Sequence, residues 1–143
     1  DCRAMIDPDQ LERCLENLLS NAFQYSPPGS TVEVSLDVVG EHARIAVKDR
    51  GTGIDPKHIP RIFDRFYRGD NHHSKGLGLG LYIVRLIVQA HGGSVSVQSE
   101  PGKGSTFTLV LPLRQSIPSP GKTGEGIEVG IPVARETAAT RAT

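Results

Sequence analysis

Ala43-Arg44-Ile45-Ala46-Val47-Lys48-Asp49-Arg50-Gly51-Thr52-Gly53 is the stretch on which the fold turns. Ala43, Ile45 and Val47 fall on one side of an extended chain, and Asp49 keeps their parity, so its carboxylate is predicted to point toward the packed side of a sheet. A carboxylate aimed inward needs a partner or a ligand. Gly51 and Gly53 follow at once, with no Cβ to keep a ligand off the backbone. Upstream, Val32, Val34, Leu36 and Val38 alternate with mostly polar neighbours, and Gly40-Glu41-His42 turns the chain, which predicts a hairpin.

Before this hairpin, Asp7 to Ser26 reads as a long helix. Asp7 suits the cap, Pro8 the first turn and Gln10 the return position of a capping box. Leu11, Cys14, Leu15, Leu18, Leu19 and Ala22 recur at three- and four-residue steps as one apolar stripe, and Pro27-Pro28-Gly29 ends it. After the glycines, Pro56 to about Ile62 reads as a short helix and Gly69 to Lys75 as a polar, mobile loop. Leu77 to His91 reads as a second long helix, apolar nearly all round apart from Arg85 and Gln89 and therefore expected to lie deep; Gly92-Gly93 ends it. Ser94 to Ser99 and Ser105 to Leu111 read as a second hairpin around Glu100-Pro101-Gly102-Lys103-Gly104.

Helices interleaved with hairpins predict an α+β fold: a two-layer sandwich whose mixed, mostly antiparallel sheet is covered on one face by helices. Residues 1–114 are expected to form this one domain. Residues 115–143, rich in proline, glycine, serine, threonine and alanine, read as a disordered low-complexity tail, within which 127–131 has the pattern of an edge strand.

Lysine plus arginine number 16 and aspartate plus glutamate 16, so nothing in the bulk charge argues for nucleic acid or an anionic membrane as a partner. Any phosphate-binding charge must be local. Cys2 and Cys14 make no metal or disulfide spacing, which fits a reduced, cytoplasmic setting. No apolar run approaches the roughly 20 residues of a membrane span, although a membrane anchor elsewhere in a parent protein stays open. The chain begins at Asp1 rather than Met and is expected to be a piece of a longer protein.

Four blocks then stand in one order: Asn17-Leu18-Leu19-Ser20-Asn21-Ala22, Asp49-x-Gly51-x-Gly53, Phe63-x-Arg65-Phe66-Tyr67-Arg68 and Gly76-x-Gly78-x-Gly80. They resemble the N, G1, F and G2 boxes of the catalytic, ATP-binding domain of sensor histidine kinases in the GHKL superfamily, over about Ile6 to Leu113. The resemblance implies a site for ATP and Mg²⁺. Asn21 would hold the metal through its amide oxygen, as a hard cation accepts, and Asn17 stacks one turn away on the same helix face. On the residues alone, both asparagines equally serve nearby backbone.

The resemblance also makes Asp49 the acceptor for the adenine amino group, with Gly51, Gly53 and Ile54 beside the ring; the plainer reading is a turn cap. Ser105 or Thr106 would supply a hydroxyl to the base, Ser105 being favoured because it follows Gly104 directly. Phe63, Phe66 and Tyr67 read either as core plugs or as the flank of a lid. Arg65, Arg68 and Lys75 read as phosphate contacts or as solvated surface. Gly76, Leu77, Gly78, Leu79, Gly80 and Leu81 form the entrance of the second helix, whose free N–H groups suit phosphate. His72 and His73, adjacent in a polar loop with no third ligand, read as solvent-exposed.

Two positions depart from the patterns of the superfamily. Where a lysine usually follows the metal-binding asparagine by three residues, this chain has Gln24, although Tyr25 matches the next aromatic. Where the hydrolases and serine kinases of the superfamily carry a glutamate, this chain has Asn17, and an amide is no general base. Glu16 is turned away by about 100° on the helix. The resemblance therefore implies phosphoryl transfer to a histidine outside the chain, on a dimerisation and phosphotransfer domain. A response regulator receiver domain would be the next partner, and the full-length protein a homodimer. A nucleotide-sensing or interaction module with lost kinase activity is the alternative.

Overall fold

The structure is a computed structural model that describes residues 2–69, 78–113, 128–131 and 136–141, with the backbone alone at 2–3 and in the last two stretches. Helix α1 runs Pro8–Tyr25 and strands β2 and β3 run Thr31–Val39 and His42–Lys48. A single-turn 3₁₀ helix, Ile59–Arg61, stands where the short helix was predicted. Helix α2 runs Gly80–Ala90, and β4 and β5 run Ser94–Glu100 and Gly104–Pro112. The main sheet also takes in a strand numbered β7, Glu136–Arg141, giving the order β4-β5-β3-β2-β7 with every neighbouring pair antiparallel. Both helices cover one face, so the expected two-layer α+β sandwich is what the chain adopts.

Asp7 caps α1 as its sequence predicts, its carboxylate accepting the N–H of Asp9 at 2.9 Å and of Gln10 at 3.4 Å. The capping box is closed differently. The Asp7 N–H donates not to Gln10 but to Nε2 of His91, 84 positions away, at 3.3 Å. His91 Nδ1 in turn lies 2.7 Å from the Ile87 carbonyl, which accepts only. The tautomer with its proton on Nδ1 serves both contacts, and they tie the end of α2 to the start of α1.

The apolar stripe of α1 places Cys14, Leu18 and Ala22 in the core, where they join Val32, Val47, Val84, Val88, Phe107 and Leu109. Helix α2 departs from its expectation in length and depth. It begins at Gly80, and only Val84, Ile87 and Val88 are buried, while Leu86 is 46% exposed. As one of two helices packed side by side on a single sheet face, it meets the core along one stripe only, whatever its composition.

Two features lie outside the predicted elements. Strand β1, Cys2–Met5, is too short to show a period; it pairs antiparallel with β6, Glu128–Ile131, and Ala4 also bridges Leu113. β6 falls within the stretch 127–131 that reads as an edge strand, and the second unpredicted feature is β7, a strand inside the segment read as a tail. The edges of β1 and β2 each present unpaired N–H and C=O groups, and backbone pairing there needs little from side-chain composition. Among the described residues no helix is long and apolar enough to cross a membrane.

Candidate nucleotide site

A cleft of about 810 Å³ opens between α1, the end of β3 and the entrance of α2. Asn17, Ser20, Asn21 and Gln24 line it together because they recur at three- and four-residue steps on the face of α1 adjoining the buried Cys14–Leu18–Ala22 stripe. The cleft therefore has a polar wall carried by a helix that the core holds rigid.

Asp49 lies at the other end, 4% exposed, as its parity with Val47 predicts. Its Oδ1 accepts the N–H of Gly51 at 2.9 Å and of Ser105 at 3.3 Å, and neither bond uses Oδ2. Burial raises its carboxyl above the ordinary 3.8, and the two backbone N–H groups only partly offset this. The adjoining loop is fixed by close backbone packing. The Thr52 N–H reaches the Tyr25 carbonyl, and the Gly102 N–H donates to the Thr52 carbonyl at 2.8 Å. A Cβ at Gly51 would run into the Tyr25 carbonyl, and one at Gly53, where φ is +72°, into that of Glu100.

Thirteen of the sequence-predicted site residues line this one cleft. They are Asn17, Asn21, Gln24, Tyr25, Asp49, Gly53, Ile54, Arg68, Gly78, Leu79, Gly80, Leu81 and Ser105. Gly51 sits behind the wall, where its part is to bond Asp49. Thr106 is not among the lining residues, because Ser105, Phe107 and Leu109 take the inward parity of β5. Arg65 is also outside the lining; its guanidinium lies 4.6 Å over the Phe66 ring. Phe66 is neither a core plug nor a cleft residue: it is 54% exposed, with φ at 63°. Its N–H meets the Gly78 carbonyl at 3.1 Å, so its backbone is tied to the entrance of α2. Phe63 does plug the core, edge-on against Phe107. Lys75, Gly76 and Leu77, together with His72, His73 and the loop read as mobile, lie outside the described residues.

Sequence reasoning passed over Ser20, whose spacing from Asn17 already put it on the polar wall. It also missed His58, which lines the cleft and is bonded through Nδ1 to the phenol oxygen of Tyr67, the aromatic expected as a core plug or lid flank. No periodic signal marks an irregular segment like the one that carries His58.

Asn17 Nδ2 is buried without a hydrogen-bond partner, although a buried amide normally has one. Gly80, which follows the Gly78-Leu79 entrance, stands opposite it: a Cβ there would come within 3.8 Å of the Asn17 amide. The wall is thus polar, short of one acceptor and bordered by glycine, as an anionic ligand beside a helix entrance would require.

A helix-borne asparagine face thus stands across the cleft from a buried aspartate, with glycines at both rims. Residues 6–115 match the family of histidine kinase-, DNA gyrase B-, and HSP90-like ATPases, and the chain belongs to that family. It is 42% identical over 109 residues to the sensor protein SrrB of Staphylococcus aureus, a match covering 74% of this chain and 19% of SrrB. The chain thus spans about a fifth of the curated relatives it matches.

Among solved structures it resembles the mycobacterial sensor histidine kinase MprB, with a TM-score of 0.71 at 36% identity, covering 79% of this chain and 76% of that one. It also resembles full-length ShkA in complex with AMPPNP, with a TM-score of 0.65 at 33% identity, covering 75% of this chain and 22% of ShkA. The nucleotide-free catalytic domain of ThkA has a TM-score of 0.66 at 26% identity, covering 75% and 69%. Within the superfamily, the domain is of the sensor histidine kinase type.

Proposed function

We propose that the chain is the catalytic, ATP-binding domain of a two-component sensor histidine kinase, which binds Mg-ATP in the cleft and donates the γ-phosphoryl group to a histidine on a separate dimerisation domain. The observation that carries this reading is that Asp49 and the Asn17–Asn21 face, distant in sequence, open into the same cleft. The AMPPNP bound by the relative ShkA, an ATP analogue, supports the same ligand here.

Asp49 selects the base: a carboxylate accepts from the exocyclic amine of adenine and repels the carbonyl that guanine carries there. Ser105 adds a second polar atom at that end. Asn21 offers a neutral amide oxygen and Asn17 its unpartnered amide at the phosphate end. Among the described residues no three His, Cys, Asp or Glu side chains cluster, so a cation beside Asn21 would draw its remaining ligands from phosphate and water. Mg²⁺, when bound, neutralises charge on the phosphate oxygens. Arg68 brings positive charge to the cleft, while Gln24 supplies only a hydrogen bond.

With an amide at Asn17, the polar wall has no base to activate water, so the site is suited to hold ATP rather than hydrolyse it. The chemistry left to the domain is positioning and charge stabilisation. The P–O bond to ADP breaks as an N–P bond to the acceptor imidazole forms, and the imidazole proton passes to solvent.

The test is calorimetric titration with ATP and Mg²⁺, beside labelling from γ-labelled ATP. The isolated chain is expected to bind but barely label itself, and addition of its own dimerisation domain should produce acid-labile phosphohistidine. Binding without transfer in the full-length protein would favour the nucleotide-sensing alternative. Acid-stable label on the chain alone, or steady phosphate release, would contradict the proposal.

A further inference from the structure

Ser99, on the edge strand β4, lies outside the cleft lining yet joins three parts of its base end. Its Oγ accepts the Ile54 N–H at 2.8 Å, donates to the Gly104 carbonyl at 3.0 Å and lies 2.8 Å from Ser105 Oγ. A hydroxyl has one proton and two acceptor positions. Ile54 N–H can only donate and the Gly104 carbonyl can only accept, so the Ser99 proton goes to Gly104 and one acceptor position goes to Ile54. The remaining acceptor position faces Ser105, whose own proton must then point at Ser99. Ser105, which lines the cleft, is left to turn lone pairs, not a proton, toward a ligand.

From this geometry we infer that Ser99 is a positioning residue for base selection, which fixes the Ser105 hydroxyl as an acceptor. The inference rests on the nucleotide reading of the cleft. Asp49 is already an acceptor at this end, so the two groups together form an acceptor pair. Such a pair welcomes the amino group of adenine and disfavours a base with a carbonyl at the same place. Without Ser99, the Ser105 proton is free to rotate into the cleft and satisfy that carbonyl. The same Ser99 oxygen holds the Ile54 N–H, which keeps the glycine loop against the hairpin turn.

The test compares ATP with ITP, whose base carries a carbonyl in place of the amine, by Mg²⁺-dependent titration of the 143-residue chain. Ser99→Ala is expected to lower the ATP-over-ITP preference about fivefold, the loss of one oriented hydrogen bond. In a Ser105→Ala background the same change should leave the preference where it is, and Ser99→Thr, which keeps the hydroxyl, should restore it. Thermal unfolding without nucleotide records any purely structural loss. Equal weakening of ATP and ITP, or a loss of preference that adds to that of Ser105→Ala, would overturn the inference. Should Ser99→Ala not fold, Ser99→Cys keeps the volume with a weak donor and acceptor, and the same loss of preference is expected. Wild-type chain that binds neither nucleotide would remove the nucleotide reading itself, and this inference with it.

Discussion

Replacing Asp49 by asparagine separates what the buried carboxylate does for the fold from what it does for the ligand. Both backbone bonds fall on Oδ1, from Gly51 at 2.9 Å and Ser105 at 3.3 Å. An asparagine can keep both with its amide oxygen and place its NH₂ where Oδ2 stands. The fold then loses no hydrogen bond, while the base end of the cleft gains a donor where the adenine amine needs an acceptor. A hydrogen bond to a charged group contributes about 1.5–3 kcal/mol, so ATP affinity should fall about 10- to 150-fold.

The ligand-free protein should respond in the opposite direction. Burial raises the carboxyl of Asp49, so the folded state keeps its proton at pH values where the unfolded state has released it. Stability from this group is then greatest below 3.8, falls as pH rises toward the folded value and is flat above it. At neutral pH the wild type carries a buried charge that the variant lacks. Asp49→Asn is therefore expected to be at least as stable without nucleotide at pH 7, and to lose this part of the acid-side slope. Calorimetric titration with Mg-ATP and urea unfolding from pH 4 to 8 check the two halves. Unchanged ATP affinity would refute the assignment of Asp49 to the base. A loss of more than about 2 kcal/mol without nucleotide would show that the carboxylate holds the fold in a way these two bonds do not describe.

Gly104→Ala should destabilise the chain by about 2–5 kcal/mol in urea unfolding, because φ is +108° and the new Cβ would run into the Asp49 carbonyl. Gly102→Ala, at φ +79° with no atom within 4 Å of the added carbon, should cost only about 1–2 kcal/mol by the same measurement. Gln24→Lys puts a cation at the exposed rim of the polar wall and should tighten Mg-ATP about two- to fivefold at low salt, with the gain lost on titration in high salt.

Much of the fold was legible because its signals are local and periodic. Alternation from Val32 to Asp49 placed β2 and β3 and gave the side of the sheet on which Asp49 lies; the cap, stripe and proline stop of α1 gave its ends nearly to the residue. Three of the four polar-wall residues followed too, since Asn17, Asn21 and Gln24 recur at steps of four and three on one helix face whatever else the chain does. Less legible were elements whose cause is a neighbour. β1 is four residues long and is a strand because β6, which did carry an edge-strand pattern, pairs with it, and β7 pairs with the edge that β2 offers. Helix α2 reads as buried all round, but its depth depends on how many layers surround it.

The identity of the groups available to a ligand was therefore a property of the chain alone: one carboxylate at a strand end, an amide face on a helix, glycines where backbone must come close. Which of them share a cleft was decided by the folded arrangement. Arg65 and Phe66 stand in the same block as Arg68, yet only Arg68 reaches the cleft, because the backbone at Phe66 turns through a positive φ. His91 finds the first turn of α1, and Ser99 finds Ser105, only after hairpins and helices have stacked. Spacing along the chain governs contacts within a helix or a strand, where geometry repeats; contacts between elements depend on packing that no short stretch encodes.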